Sequence, residues 1–310
     1  MKRFFSCLCF ILSATAWSYP VNYQNCASPF SVKDKPSKMV TMDINTTEMA
    51  LSMGLSSAMF AASGFGGAAQ LLPHLRDAFG DIPIISGNYP RPNTILNLKP
   101  DFVMGGWYFG FFPQTRMTPE YYRLQGIDTY VIKESCIRVG DDREVTIESA
   151  LFKDLWTLGE IFDRRAVAEA LIKDFKYRLA QIPPPNGEPK TIFVYDSGVD
   201  AAFTVGKFTV LNDAIRRAGG VNAFQDQDFN WGQVTWLDVA SRNPDLILIV
   251  DYGGNDHALK KSYIQSLSNL SHTKAVMNDG FLTIPYAAAI SGIRSIQVAE
   301  TLSEQLNALP

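Results

Sequence analysis

A chain of 310 residues exceeds the length at which a single hydrophobic core usually stops growing, so two domains are expected. Its 28 basic and 31 acidic side chains leave a formal net charge of −3 with no basic block, which argues against nucleic acid as a partner. Only three histidines occur, His74, His257 and His272, which makes a bare transition-metal site unattractive because such sites recruit imidazole.

Lys2 and Arg3, followed by the apolar run 4–16, read as a secretion leader over residues 1–18; the run is too short to span a bilayer. Small residues at Ala14, Ala16 and Ser18 place cleavage near Trp17 or Tyr19; a buried first strand is the alternative. Cys26 follows Tyr-Gln-Asn and no lipobox, so a soluble periplasmic protein is expected and not a lipid-anchored one. Cleavage removes Cys7 and Cys9 and leaves Cys26 and Cys136, an even count that favours a disulfide in an exported chain. Closing a loop of roughly 100 residues is worth up to about 4–5 kcal/mol in the chain-entropy model. Two separate buried thiols are the alternative, and the lack of a histidine near either cysteine in sequence disfavours a metal site.

Residues 38–43 read as a strand, followed by a helix from about 46 to 54 and a glycine-rich loop at 63–67. Residues 83–85 read as a short strand. One module then occurs twice, at 96–106 and 240–254: a helix end, a Pro-Asp stop (Pro100-Asp101 and Pro244-Asp245), a short buried strand and a glycine turn. After a strand at 129–132 comes the longest helical stretch. Ile147, Leu151, Leu155, Leu158 and Phe162 form one stripe, Val167, Leu171, Phe175, Leu179 and Ile182 a second, with Gly159 and Asp163 as interruptions. Prolines at 183–189 stop the helix. Strand and helix alternate again at 191–196, 209–218 (capped by Gly219-Gly220), 236–241, 246–250, 281–285 and 293–306. The alternation and the repeated module predict two similar α/β lobes with parallel sheets, their strand-end loops facing a cleft.

Met39-Val40-Thr41-Met42-Asp43, Thr47-Glu48-Met49, Gly54-Leu55, both Pro-Asp modules, Asn230-Trp231-Gly232 with Trp236, and Ile284-Pro285-Tyr286 with Gly292-Ile293-Arg294 succeed one another over nearly the whole mature chain. In order and spacing they resemble the periplasmic substrate-binding proteins that feed cobalamin, ferric-siderophore and haem ABC importers. The resemblance implies two Rossmann-like lobes, 19–163 and 183–310, joined by a single long backbone helix over 164–182, with little hinge closure. It also implies a monomer with no built-in cofactor that captures a metal complex and delivers it to an inner-membrane ABC permease. The branch it is most similar to carries Gly-Gly-Trp after the first module and a Glu-Ser-Cys like Glu134-Ser135-Cys136. A receptor for a bare transition-metal ion and an exported chelatase-like enzyme are the alternative readings. No Gly-x-Ser-x-Gly, His-Glu-x-x-His or phosphate-loop motif occurs, so no enzyme is expected.

Five aromatics crowd the loop at 105–112, and Trp107 and Tyr108 are expected to line an open pocket suited to a flat ligand. Trp231 and Tyr252 are expected on the opposite wall, with Phe65 and Tyr89 as further candidates; core packing is the competing role for each. Arg294 sits where the family often places an arginine near the ligand, and would grip a ligand carboxylate or phosphate in bidentate fashion or form a lobe-stabilising ion pair. Asp43, Asp196 and Asp251 end strands and are expected to cap the next helix or turn. Arg91, Arg116 and Arg138 have no discriminating context. Relatives usually carry a permease-docking acid at the tip of each lobe; here those places hold Asn93 and Leu237, leaving Asp238 as the expected docking acid and Asn93 with a hydrogen bond only.

Overall fold

A computed structural model describes residues 19–114, 117–140 and 145–309; the expected leader with Cys7 and Cys9, and Arg116, lie outside them. Two parallel sheets form the framework. In the first lobe the strands lie in the order Met59–Ser63, Met39–Met42, Phe102–Trp107, Asp128–Val131, with the two-residue strand Gly110–Phe111 beside the end of the third. In the second they lie in the order Gly220–Asn222, Lys190–Tyr195, Leu246–Asp251, Phe281–Pro285. Both lobes thus place their strands second, first, third, fourth.

The repeated Pro-Asp module has a physical reason. The helices Pro92–Leu98 and Trp236–Arg242 each end on a left-handed residue, Lys99 and Asn243, directly before the proline that forbids continuation. The aspartate after the proline ties the third strand to the first. Asp101 Oδ1 accepts from the Lys38 N–H at 2.8 Å, and Asp245 Oδ2 from the Thr191 N–H at 2.8 Å. The backbone N–H groups of Asp101 and Asp245 donate in return to the Lys38 and Thr191 carbonyls. In each lobe the module therefore sets the register on which the strand-end loops depend.

The chain passes from the first sheet to the second through helices Lys153–Ile161 and Arg165–Ala180, the latter about 24 Å long at helical rise. Asp163, at φ +53°, separates them as expected. Gly159 does not interrupt: it lies inside the first helix, where a Cβ would stand 2.9 Å from the Ala168 Cβ. Its missing side chain lets the two helices cross closely. The strand expected at 83–85 shrinks to a single bridge between Ala62 and Ile84.

A hairpin with no counterpart among the expected elements, Val21–Asn25 and Ser28–Val32, opens the described chain. Its turn residues are Cys26 and Ala27, and Cys26 is disulfide-bonded to buried Cys136, 110 residues away. Tyr23 and Asn25 also bind this lobe's edge, donating to the Thr129 and Val131 carbonyls.

The two lobes share one joint. The core that contains Met39, Phe102 and Leu151 continues through Phe208, Val210, Ala287, Ile293 and Ile296 of the second half. Buried polar bonds cross the joint: Asn45 Nδ2 to the Ser291 carbonyl (2.7 Å), the Val210 N–H to Glu134 Oε2 (2.8 Å), and the Ile147 N–H to Asp213 Oδ2 (2.9 Å). Among the described residues no helix is long and apolar enough to cross a membrane.

Candidate ligand-binding cleft

Each parallel strand of the first sheet from Met39 onward, and three of the second, ends in a residue or loop at the lobe junction. Asp43 comes after the first strand, Phe65 after the second, Tyr108 after the third and Glu134 after the fourth; in the second lobe Asp196, Tyr252 and Tyr286 come after theirs. Two cavities of about 600 Å³ and 310 Å³ occupy this junction and share Tyr89, Tyr252 and Tyr286 in their walls. A larger open hollow, about 1050 Å³, lies under the N-terminal hairpin; its walls come from the first lobe alone and mix Lys33, Lys35 and Lys153 with Asp34, Asp128 and Glu160. The junction cavities draw on both lobes and carry the aromatic rings, so they form the candidate cleft.

At the floor stands Asp43. Its Oδ1 accepts from the Ile44 N–H, the cap expected from sequence, while Oδ2 accepts the hydroxyls of Tyr89 (2.6 Å) and Tyr286 (2.9 Å), one from each lobe. Burial pushes the Asp43 carboxyl up to about 6 against the pull of these three donors. Burial, followed by the Asp43 charge, raises the Tyr89 and Tyr286 phenols well above their ordinary value. Asp43 also holds φ +109°, a region costly for any residue with a Cβ, and such strain concentrates at functional sites. Asp196 repeats the arrangement in the second lobe, accepting from Tyr252 (2.8 Å) and Ser197 (2.8 Å). Tyr252 stacks on Tyr286 with ring centroids 5.0 Å apart.

The profile of the periplasmic binding protein family matches residues 45–288, most of the chain. The chain belongs to the periplasmic binding protein family. A curated relative from Bacillus subtilis, an uncharacterized ABC transporter substrate-binding lipoprotein, is 22% identical over 93% of this chain and 86% of its own. A vitamin B12-binding protein from Photorhabdus laumondii is 23% identical over 88% of each chain. A solved structure from Saccharomonospora viridis, described as an ABC-type Fe3+-hydroxamate transport system, superposes with a TM-score of 0.81 at 19% identity, covering 94% of this chain and 100% of its own.

The walls of this periplasmic binding protein hold all seven residues expected there. Trp107, Tyr108 and Trp231 line the smaller cavity, Phe65 and Arg294 the larger, and Tyr89 and Tyr252 both. They do so unequally. Tyr252 is 52% exposed and Tyr108 39%, with the Arg138 guanidinium 5.0 Å from the Tyr108 ring centre. Trp231 is half-buried and stacks on Phe203. Trp107 is only 6% exposed: it belongs mainly to the first-lobe core with Phe111, Met117 and Tyr122, and offers the cleft an edge. Phe65 is similarly buried, packed on Phe79. The Phe109 ring lies over Gly106, where a Cβ would fall 1.9 Å from it, so the aromatic loop is a tight turn and not an open fan of rings.

Arg294 takes the second of its two expected roles. Its Nε and Nη2 grip Glu48 at 2.8 and 2.6 Å, and Nη2 also donates to the Gln70 carbonyl. Asp238 is exposed, yet its carboxylate accepts from the Thr235 N–H and hydroxyl in a capping box. Beside it Leu237 is 71% exposed at the tip, and Asn93 is exposed on the first lobe. Sequence reasoning missed three features of the cleft. Tyr286 and Glu134 were visible only within the family motifs, and the second oxygen of Asp43 was hidden behind its capping role.

Proposed function

We propose that this protein captures a metal complex (a ferric siderophore, a cobalamin-like or a haem-like ligand) between its lobes and delivers it to an inner-membrane ABC permease. The observation that carries this reading is the pair of adjoining cavities walled by aromatic rings from both lobes around three shared tyrosines. Such walls suit flat or bulky ligands that need few polar anchors. The vitamin B12 and ferric-hydroxamate descriptions of the relatives point to the same ligand class. No enzymatic activity is proposed. Export with removal of residues 1–18 completes the reading. Lipid attachment at Cys26 is disfavoured because its sulfur is joined to Cys136.

The test is a screen of cobalamin, ferric trihydroxamate and haem by quenching of tryptophan fluorescence, with metal analysis of the protein as purified from periplasm. Saturable quenching by one of the three supports the reading. Failure of all three, together with stoichiometric binding of a bare ion, replaces it with the bare-metal alternative. Turnover of metal into a macrocycle would replace it with the chelatase-like one.

A further inference from the structure

We propose that Glu134 and Asn230 read a carboxamide arm of the cargo in the smaller cavity, so that the preferred cargo is a metal complex whose rim carries amides and not carboxylates. The inference rests on the metal-complex reading and narrows it. Each residue contributes one polar atom that the fold leaves unused. Glu134 Oε2 accepts from the Val210 N–H at 2.8 Å, and Oε1 has no donor among the described residues. Asn230 Oδ1 accepts from the Trp231 N–H at 2.7 Å, which fixes the amide orientation and leaves Nδ2 without an acceptor among the described residues. Both residues are more than nine-tenths buried, at 5% and 7% exposure, and both line the cavity of about 310 Å³. Neither free atom is shut inside the protein.

An unpaired buried polar atom is costly, so a pocket that holds one acceptor and one donor favours the ligand that satisfies both. The acceptor comes from the first lobe and the donor from the second. A carboxamide supplies the complement, its N–H for Glu134 Oε1 and its carbonyl for Asn230 Nδ2. A carboxylate in the same place has no hydrogen for Glu134 and sets two like charges together. Arg138 does not reverse this preference. Its guanidinium lies against Tyr108, and two carboxylates, Glu134 and Asp196, share the wall with it. Asp196 already has both oxygens filled, by Tyr252 and Ser197, so the free carboxylate oxygen of that wall is Glu134 Oε1. Corrinoid rims carry carboxamide arms, whereas haem carries carboxylates.

The probes are matched pairs on three cores: cyanocobalamin and its monocarboxylic acids, N-acetyl- and N-succinyl-ferrioxamine B, and haem diamide and haem. Affinities are read by tryptophan quenching at pH 8, above the value of about 7 to which burial raises the Glu134 carboxyl. In whichever core binds, the carboxylate form (for cobalamin, at least one of its isomers) should bind at least about tenfold more weakly than the amide form. Glu134→Gln keeps an oxygen for the Val210 N–H and offers the cavity an amide donor, so the gap should close to within about threefold. Asn230→Asp keeps the oxygen for Trp231 and removes the donor, so the amide form should weaken at least about tenfold. This second variant decides the matter if the first fails to fold. Equal or tighter binding of the carboxylate forms by the unaltered protein, an unchanged gap in folded Glu134→Gln, or unchanged amide binding in Asn230→Asp overturns the proposal and leaves the metal-complex receptor standing. If no core binds in either form, the receptor reading falls and this inference with it.

Discussion

Arg294, at the start of the last helix, and Glu48, in the first helix of the first lobe, meet in a bidentate ion pair that is nearly sealed from water. Removing either partner leaves the other charge buried without its counter-charge, a cost of about 3–5 kcal/mol. Arg294→Met should therefore lower stability by that order in urea unfolding. Unchanged stability with lost ligand affinity would return the guanidinium to the role of ligand anchor.

The two tryptophans that line the smaller cavity should behave differently. Trp231→Ala is expected to weaken ligand binding at least about tenfold, near 1.4 kcal/mol, with a modest change in melting temperature. Trp107→Ala removes a core ring and should cost about 3–5 kcal/mol of stability before any effect on affinity is seen. Equal losses of affinity at unchanged stability in both variants would mean that Trp107 belongs to the pocket and not to the core.

Stability should peak on the acid side of neutrality. Burial raises Asp43 to about 6 and Glu134 and Asp154 to about 7, whereas unfolded carboxyls titrate near pH 4. Between those values the folded state holds the extra protons, so stability falls as pH rises from about 4 to about 7 and then levels off. Asp213 opposes this at the acid end: its burial alone would raise it, but Arg217 and the Ile147 N–H hold it low, so its contribution is lost as pH falls below about 4. The melting temperature should therefore be higher at pH 5 than at pH 8, and Asp43→Asn should flatten the profile. A melting temperature that rises steadily from pH 5 to pH 8 would contradict the assignment.

Non-reducing mass spectrometry of periplasmic protein should find Cys26 joined to Cys136. The hairpin turn beside this bond uses Cys-Ala at positive φ in place of the favoured Asn-Gly, so it leans on the covalent tie. Cys136→Ser should cost up to about 4–5 kcal/mol by loop entropy. Two free thiols in that sample would exclude the link.

Asp238 has two duties to separate. From the third helical position it closes the capping box whose N-cap is Thr235, and an exposed ion pair with a permease is worth about 0–1 kcal/mol. Asp238→Lys should impair uptake through the cognate permease, and Asp238→Ser, which can still cap, should match it if docking matters. Normal uptake by both would move docking to the exposed Leu237 tip.

The third strand of each sheet was legible because it is a short apolar run bounded by Pro-Asp and glycine, a pattern stamped twice, whereas the second strands, Met59–Ser63 and Gly220–Asn222, were not expected. The hairpin was not, since Cys26-Ala27 carries no turn signal and its strands are pinned by Tyr23 and Asn25 to residues more than 100 positions away. Gly159 looked like a stop because composition does not reveal the helix that crosses it. In the cleft, sequence placed the rings by their position after strands, but not their depth: Trp107 and Phe65 turn inward for reasons that lie in the packing of Phe111 and Phe79. Nor could it pair Asp43 with Tyr286, because that bond spans 243 residues.

A chain grows from its N-terminus, and three polar side chains made early, Asp43, Asn45 and Glu48, find partners at Tyr286, Ser291 and Arg294. Until the last helix and the segment before it arrive, Glu48 lacks its counter-charge, Asn45 Nδ2 its acceptor and Asp43 one of its three donors. Products that stop short of that helix should therefore remain open to proteases, which makes the C-terminal segment a completeness check on the whole molecule.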